Sequence, residues 1–296
     1  MKNAIDNLIE KIKKTNNPTV MGLDPRYEMI PEYIRKKYDK TLKGVASCIV
    51  EFNKKLIDAV CDVIPAVKPQ IAFYEMYGIE GMKAFEETCK YAKEKELVVI
   101  ADIKRGDIGT TAKAYSNAFL GKTLVGDKEE SIYDVDFVTL NPYMGTDCVK
   151  PFIEKTSNPS SGDLQDMKLE NGKEVYIKVA KLIEEWGKDF IGEYGYSSVS
   201  TVVGATYPKQ LEEIRNVAKH SYFLIPGYGA QGGKATDIAY GFDKNKLGGI
   251  VNASRSLMYA YKSDLWKDKY TEEEFEKATL AEAIRMRDEL NSAINK

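Results

Sequence analysis

LVVIADIKRGDIGTT, residues 97–111, opens as an unbroken apolar run and closes on charge. A continuous apolar run of this kind suits a parallel strand buried on both faces. Side chains alternate along a strand, so Asp102 and Lys104 share one face at its C-terminal end. Asp107 follows in the loop, where Gly106 and Gly109 permit tight backbone turns. Charge at the end of a core strand serves no packing purpose, and a buried charge is costly unless partnered. Taken alone, the segment fits a structural ion pair and a catalytic array about equally well.

Outward from this run, short apolar stretches alternate with longer helical patterns, which predicts βα units and a parallel sheet. The strands are read at Pro18 to Asp24, VIPAVKPQ ending at Gln70, Leu97 to Lys104, Asp136 to Tyr143, Val199 to Thr206, Ser221 to Gly227 and Gly248 to Ser254. Between Val45 and Cys61 the apolar positions Val45, Ile49, Phe52, Leu56 and Ile57 have the spacing of one buried helix face. Further helices are expected near Gly81 to Lys95 and from about Thr271 to Asn295. The fold class is α/β, a (β/α)8 TIM barrel forming a single domain over residues 1–296, since such barrels need about 250 residues.

A barrel needs an eighth strand, and it should fall between Met144 and Asn158. Only Thr146 to Glu154 separate the NPYMG turn from KTSNP. A parallel crossover takes about a dozen residues before its strand is counted. The reading favoured here is that the residues of strand five are absent from this sequence. The polar stretch Thr156 to Gly172 reads as a long loop.

Other strand ends decide between the two readings of Asp102 and Lys104. AVKPQIAFYE places Lys68 at the end of the second strand, and MGLDP places Asp24 at the end of the first. Together Lys68, Asp102, Lys104 and Asp107 would make an alternating array of two cations and two anions. Charges at three successive strand ends, all on the face where barrel enzymes carry their sites, favour catalysis. PGYGAQGG (residues 226–233) follows the seventh strand and Arg255 the eighth, the two loops with which barrels often hold phosphate. Glycines let backbone N–H groups approach the oxygens, and a guanidinium offers paired donors.

Bulk properties exclude several classes. Lys plus Arg (43) nearly balance Asp plus Glu (45), leaving a formal net charge of -2 and no basic run, so no nucleic acid polymer is expected as partner. Cys48, Cys61, Cys89 and Cys148 show no paired framework, which suits reduced thiols and a cytoplasmic location. The N-terminal segment is an amphipathic pattern with acids inside it rather than a signal sequence, and no apolar run reaches membrane-spanning length. His220, the single histidine, reads as a surface residue, and Trp186 as helix packing.

The segments MGLDP, AVKPQIAFYE, IADIKRGDIGTTAKAY, LNPYMGTD, KTSNP, VVGATYP, PGYGAQGG and NASRS, in order from about residue 18 to residue 260, resemble the orotidine 5'-phosphate decarboxylase family, most closely its longer bacterial branch. The departure is the short connection before KTSNP. The resemblance implies decarboxylation of orotidine 5'-phosphate to uridine 5'-phosphate in pyrimidine biosynthesis, without metal or organic cofactor. It implies Lys104 as the ammonium that stabilises and protonates C6, Asp102 beside the departing carboxylate, and Lys68 neutralising Asp102. Asp24 would take the ribose hydroxyls, Ser157 the pyrimidine, and Gln231 and Arg255 the phosphate, with the Gly229 backbone near it. It also implies a homodimer in which Asp107, with Ile108 and Thr111, enters the neighbouring subunit's site. Two other classes were weighed. A Mg2+-dependent sugar-phosphate lyase on the same barrel would pair Asp102 with a second acid such as Glu75; a non-catalytic nucleotide binder would have no use for Lys104.

Overall fold

The computed structural model describes residues 3–153, 167–170, 172–229 and 233–296. Nine strands are described: β1 (Thr19–Leu23), β2 (Ala66–Pro69), β3 (Val98–Arg105), β4 (Thr123–Val125), β5 (Lys128–Glu130), β6 (Phe137–Leu140), β7 (Ser197–Val202), β8 (Ser221–Pro226) and β9 (Gly249–Ala253). Seven of them form one sheet in the order β6-β3-β2-β1-β9-β8-β7, and every pairing within it is parallel. The strands expected from apolar runs are all present, with the fifth-placed run starting two residues earlier than read, at Ser197. Not foreseen was the antiparallel hairpin β4–β5, which turns at Gly126 with φ +61°.

Alternation along each strand sorts residues into two cores. Val20, Ala66, Val98, Ile100, Phe137, Tyr222 and Ile250 point inward, where they meet Ile5, Leu8, Ile9 and Ile12 from the helix Ala4–Thr15. That helix closes the bottom of the sheet's hollow. The intervening residues, among them Val67, Val99 and Ala101, face outward onto the helices Leu42–Val60 and Gly78–Glu94. Two residues beyond the inward layer come Lys68, Asp102, Thr139, Leu224 and Asn252. The same period of two therefore builds an apolar floor and then a mostly polar storey above it.

Between β6 and β7, Thr146–Ile153 is a helix, with Pro151 inside it. The described residues hold no strand between β6 and β7, so these two stand at the ends of the sheet. Among the described residues no helix is long and apolar enough to cross a membrane, and all four cysteines are free.

The bottom rim is tied by Arg215, on the helix Pro208–Val217. Its buried guanidinium donates to the carbonyls of Gly241 (3.0 Å), Ala218 (3.1 Å), Ser221 (2.8 Å) and Gly248 (2.6 Å), and lies 3.5 Å from the Phe223 ring centre. Burial, only partly offset by the nearby Tyr196, Asp243, Tyr222 and Glu184, lowers its pKa to about 10. An Arg215→Ala variant strands buried carbonyls at the starts of β8 and β9. It should lose about 3 kcal/mol of stability, seen as a lower urea midpoint with an unchanged slope; a midpoint like the wild type's would refute the clamp.

Candidate active site

The upper storey of the barrel opens into a cavity of about 700 Å³ at the C-terminal ends of the strands. Asp102 is its centre. Both carboxylate oxygens are saturated: Oδ2 accepts from Lys68 Nζ (2.8 Å) and Gln70 Nε2 (3.0 Å), and Oδ1 from Lys104 Nζ (2.5 Å) and Thr139 Oγ1 (2.7 Å). Burial works to raise the Asp102 carboxyl, but the charges of Lys68 and Lys104 overcome it and hold the group down at about 2.

The two lysines are not equivalent. Lys68 keeps only 6% of its side chain exposed, whereas Lys104 keeps 60%. One ammonium is locked into the wall and the other stands open to the cavity.

Simple alternation does not by itself bring Lys104 to Asp102. The register of β3 against β6 shifts between Ala101 and Arg105, where Ala101 pairs with Val138 and Arg105 with Leu140. Within this bulge Lys104 takes φ +46°, a left-handed conformation unfavourable for a side-chain-bearing residue. Its backbone N–H donates to Thr139 Oγ1 (3.0 Å), the hydroxyl that itself donates to Asp102. Thr139 thus fixes both members of the pair, at a turn costing about 1 kcal/mol or more.

Asp24 and Arg255 also line the cavity, with Asp24 Oδ1 buried and unpartnered and Arg255 exposed. Asp107 does not join Lys68, Asp102 and Lys104 within this chain. The chain turns at Gly106, and the Asp107 carboxylate instead accepts from the Ile108 N–H (2.7 Å). Ile108 is 58% exposed, and Thr111 is exposed in the first turn of the helix Gly109–Phe119. The Gly229 N–H donates to the Gly233 carbonyl (3.1 Å), so a phosphate contact from that N–H would have to displace this bond. Ser157 and Gln231 lie outside the described residues. Glu75, the acid a metal-dependent lyase would recruit, is paired with Arg105, and the described residues hold no group of three or more His, Cys, Asp or Glu side chains suited to a metal ion. His220 is exposed and hydrogen-bonded to Glu184, away from the cavity; Trp186 donates to Thr146 Oγ1 (3.2 Å).

Sequence reasoning missed Thr139 and Gln70. A neutral residue at a strand end carries no signal comparable to a buried charge, although Thr139 lies in the quoted LNPY strand and Gln70 two positions after Lys68.

The family model described as "Orotidine 5'-phosphate decarboxylase / HUMPS family" matches residues 20–264. The chain belongs to that family. Within the orotidine 5'-phosphate decarboxylase family, the protein of Caldicellulosiruptor bescii is 42% identical over an alignment of 312 residues that covers all of both chains. The Rhodopirellula baltica protein is 40% identical over 94% of this chain and 96% of its own. Among solved structures, the OMP decarboxylase of Leishmania donovani superposes with a TM-score of 0.74 at 27% identity, covering 99% of this chain and all of the other. That of Plasmodium berghei, at 18% identity and a TM-score of 0.76, bears on the fold alone. The family fold is the (β/α)8 barrel, and the curled parallel sheet is its counterpart here.

Proposed function

We propose that this chain removes the C6 carboxylate of orotidine 5'-phosphate, giving carbon dioxide and uridine 5'-phosphate in pyrimidine biosynthesis, with Lys104 stabilising and then protonating C6. The observation that carries this reading is the contrast between two lysines on one carboxylate, Lys68 walled in and Lys104 open to the cavity. As the C–C bond breaks, its electron pair stays on C6, and an ammonium beside that atom is favoured in the transition state over the ground state. The Lys104 proton then passes to C6, and solvent restores it.

Asp102 would lie beside the departing carboxylate, with Lys68 offsetting its charge. Asp24, whose buried Oδ1 has no partner, is suited to accept from ribose hydroxyls. Arg255, with Gln231, would take the phosphate, and binding energy from that remote group can serve to close the site around the ring. Ser157 would contact the pyrimidine. The half-buried Asp107, with the exposed Ile108 and Thr111, would complete a second copy's site in a homodimer, as one domain spanning residues 1–296 per subunit. Free thiols accord with a cytoplasmic location.

A reaction that does not hold a metal through Asp102 and Glu75 is supported by the donor set. Both Asp102 oxygens are taken by four protein donors, and Glu75 is held by Arg105, which leaves the lyase reading without its acids. The test is ultraviolet absorbance of orotidine 5'-phosphate with the protein in excess EDTA. Enzyme-dependent loss of the orotate chromophore is expected. A chromophore that persists, together with turnover of a sugar phosphate once Mg2+ is restored, would replace this reading with the lyase.

A further inference from the structure

The ring of side chains at the level of Asp102 has two unlike halves. Lys68, Asp102 and Thr139 make a charged half, fully hydrogen-bonded, and Val202 and Leu224 an apolar one. Asn252, on β9, closes the ring between Leu224 and β1. It is 9% exposed, it lines the cavity, and its Oδ1 is buried with no hydrogen-bond partner. Its Nδ2 reaches only Ser254 Oγ, at 3.5 Å. A buried amide oxygen left unpaired costs about 1–3 kcal/mol, so a position of this kind calls for a ligand.

The backbone is built to leave this amide its place. Asn252 is paired in register with Val20 on one side and Pro226 on the other. The next inward position of β1 is Gly22, register partner of Lys68. A Cβ at Gly22 would stand 1.9 Å from Ser254 Oγ and 3.1 Å from Asn252 Oδ1. The glycine therefore makes room chiefly for the Ser254 side chain, and the Asn252 amide oxygen stands at the edge of the same space.

We propose that Asn252 is a further substrate-binding residue, its Oδ1 accepting a hydrogen bond from an N–H or hydroxyl of the bound nucleotide. This rests on the nucleotide reading above and adds a recognition element that is independent of phosphate. The donors available are the ribose hydroxyls and the ring N–H. The phosphate, ionised and held by Arg255, supplies none.

The test compares uridine 5'-phosphate, ribose 5-phosphate and inorganic phosphate binding to the wild type and to Asn252→Leu by calorimetry. Asn252→Ala serves as the second variant should leucine disturb packing against Leu224. The expected result is a Kd for uridine 5'-phosphate raised about five- to tenfold with inorganic phosphate unchanged. If ribose 5-phosphate weakens in parallel, the donor is a ribose hydroxyl; if it does not, the donor is the ring N–H. Uridine 5'-phosphate binding unchanged to within roughly twofold in both variants, or an equal loss for all three ligands, would overturn the proposal. A wild type that binds the nucleotide no better than inorganic phosphate would instead sink the underlying functional reading.

Discussion

Replacing Lys104 with alanine is expected to lower kcat for orotidine 5'-phosphate by roughly 10⁴-fold or more while leaving the fold almost as stable as before. The two halves of that expectation have separate causes. Lys104 combines charge stabilisation at C6 with proton delivery, and each such contribution is commonly worth about 10²–10⁴ in rate. Its side chain is 60% exposed, and Asp102 keeps Lys68, Gln70 and Thr139 when it is gone. Solvent therefore screens most of what its ion pair could add to stability. Alanine also inherits the left-handed backbone at position 104, so the strain of the bulge is kept. Single-turnover absorbance with enzyme in excess separates chemistry from product release. A variant retaining more than about 1% of the wild-type rate constant would remove Lys104 from the chemical step, given the size of the loss at stake.

Asp102→Ala should damage both activity and stability. Lys68 is almost wholly buried and would lose its only ion-pair partner among the described residues, facing the Lys104 ammonium across the space left behind. Thr139 and Gln70 would lose their acceptor. Removing one member of a buried pair costs about 3–5 kcal/mol, because the other charge is left unpaired. That corresponds to a thermal midpoint lower by roughly 6–15 °C for a domain of this size. The deficit should also depend on pH with a definite sign. The Asp102 carboxyl is depressed in the fold to about 2 from an ordinary 3.8. Its contribution is fully present above the ordinary value and lost as pH falls through the depressed one. The gap in stability between wild type and variant should accordingly narrow by about 2 kcal/mol as pH is lowered from 5 to 2. A gap that stays constant over this range would mean that Asp102 is not held by its lysines.

Much of this site can be read from the sequence because charge at the end of an apolar strand is conspicuous. Lys68, Asp102, Lys104 and Asp24 each interrupt or close such a run, and alternation places Lys68 and Asp102 on the inner face, whereas Lys104 reaches it only through the bulge. The means of positioning are less legible. No residue type announces the bulge between Ala101 and Arg105, since the left-handed residue there is a lysine where a glycine would have signalled it. Asn252 escaped notice for the reason Thr139 did: a neutral polar residue within an apolar run resembles ordinary variation until its unpaired oxygen is located. The hairpin β4–β5, TLVGDKEE, carries a Gly-Asp turn, but the adjacent Leu124 and Val125 give its first strand no apolar face, and its second strand is wholly charged. The short connection after β6 was legible for a different reason, a distance along the chain too small for a crossover and its strand. Asp107 shows the limit of reading charges by strand ends: it follows the strand in a loop, and its carboxylate accepts from the Ile108 N–H instead of joining the array.

Thr139 holds Asp102 and Lys104 together, yet β6, which carries it, pairs among the described strands with β3 alone, along a ladder already interrupted by the bulge. Strands bound on one side exchange their amide hydrogens through local opening at a free energy below that of global unfolding. Each such opening of residues 137–140 would draw Thr139 away and release the left-handed turn at Lys104. Deuterium uptake at residues 137–140 is therefore expected to rise whenever the ion cluster loosens, the two being tied through Thr139.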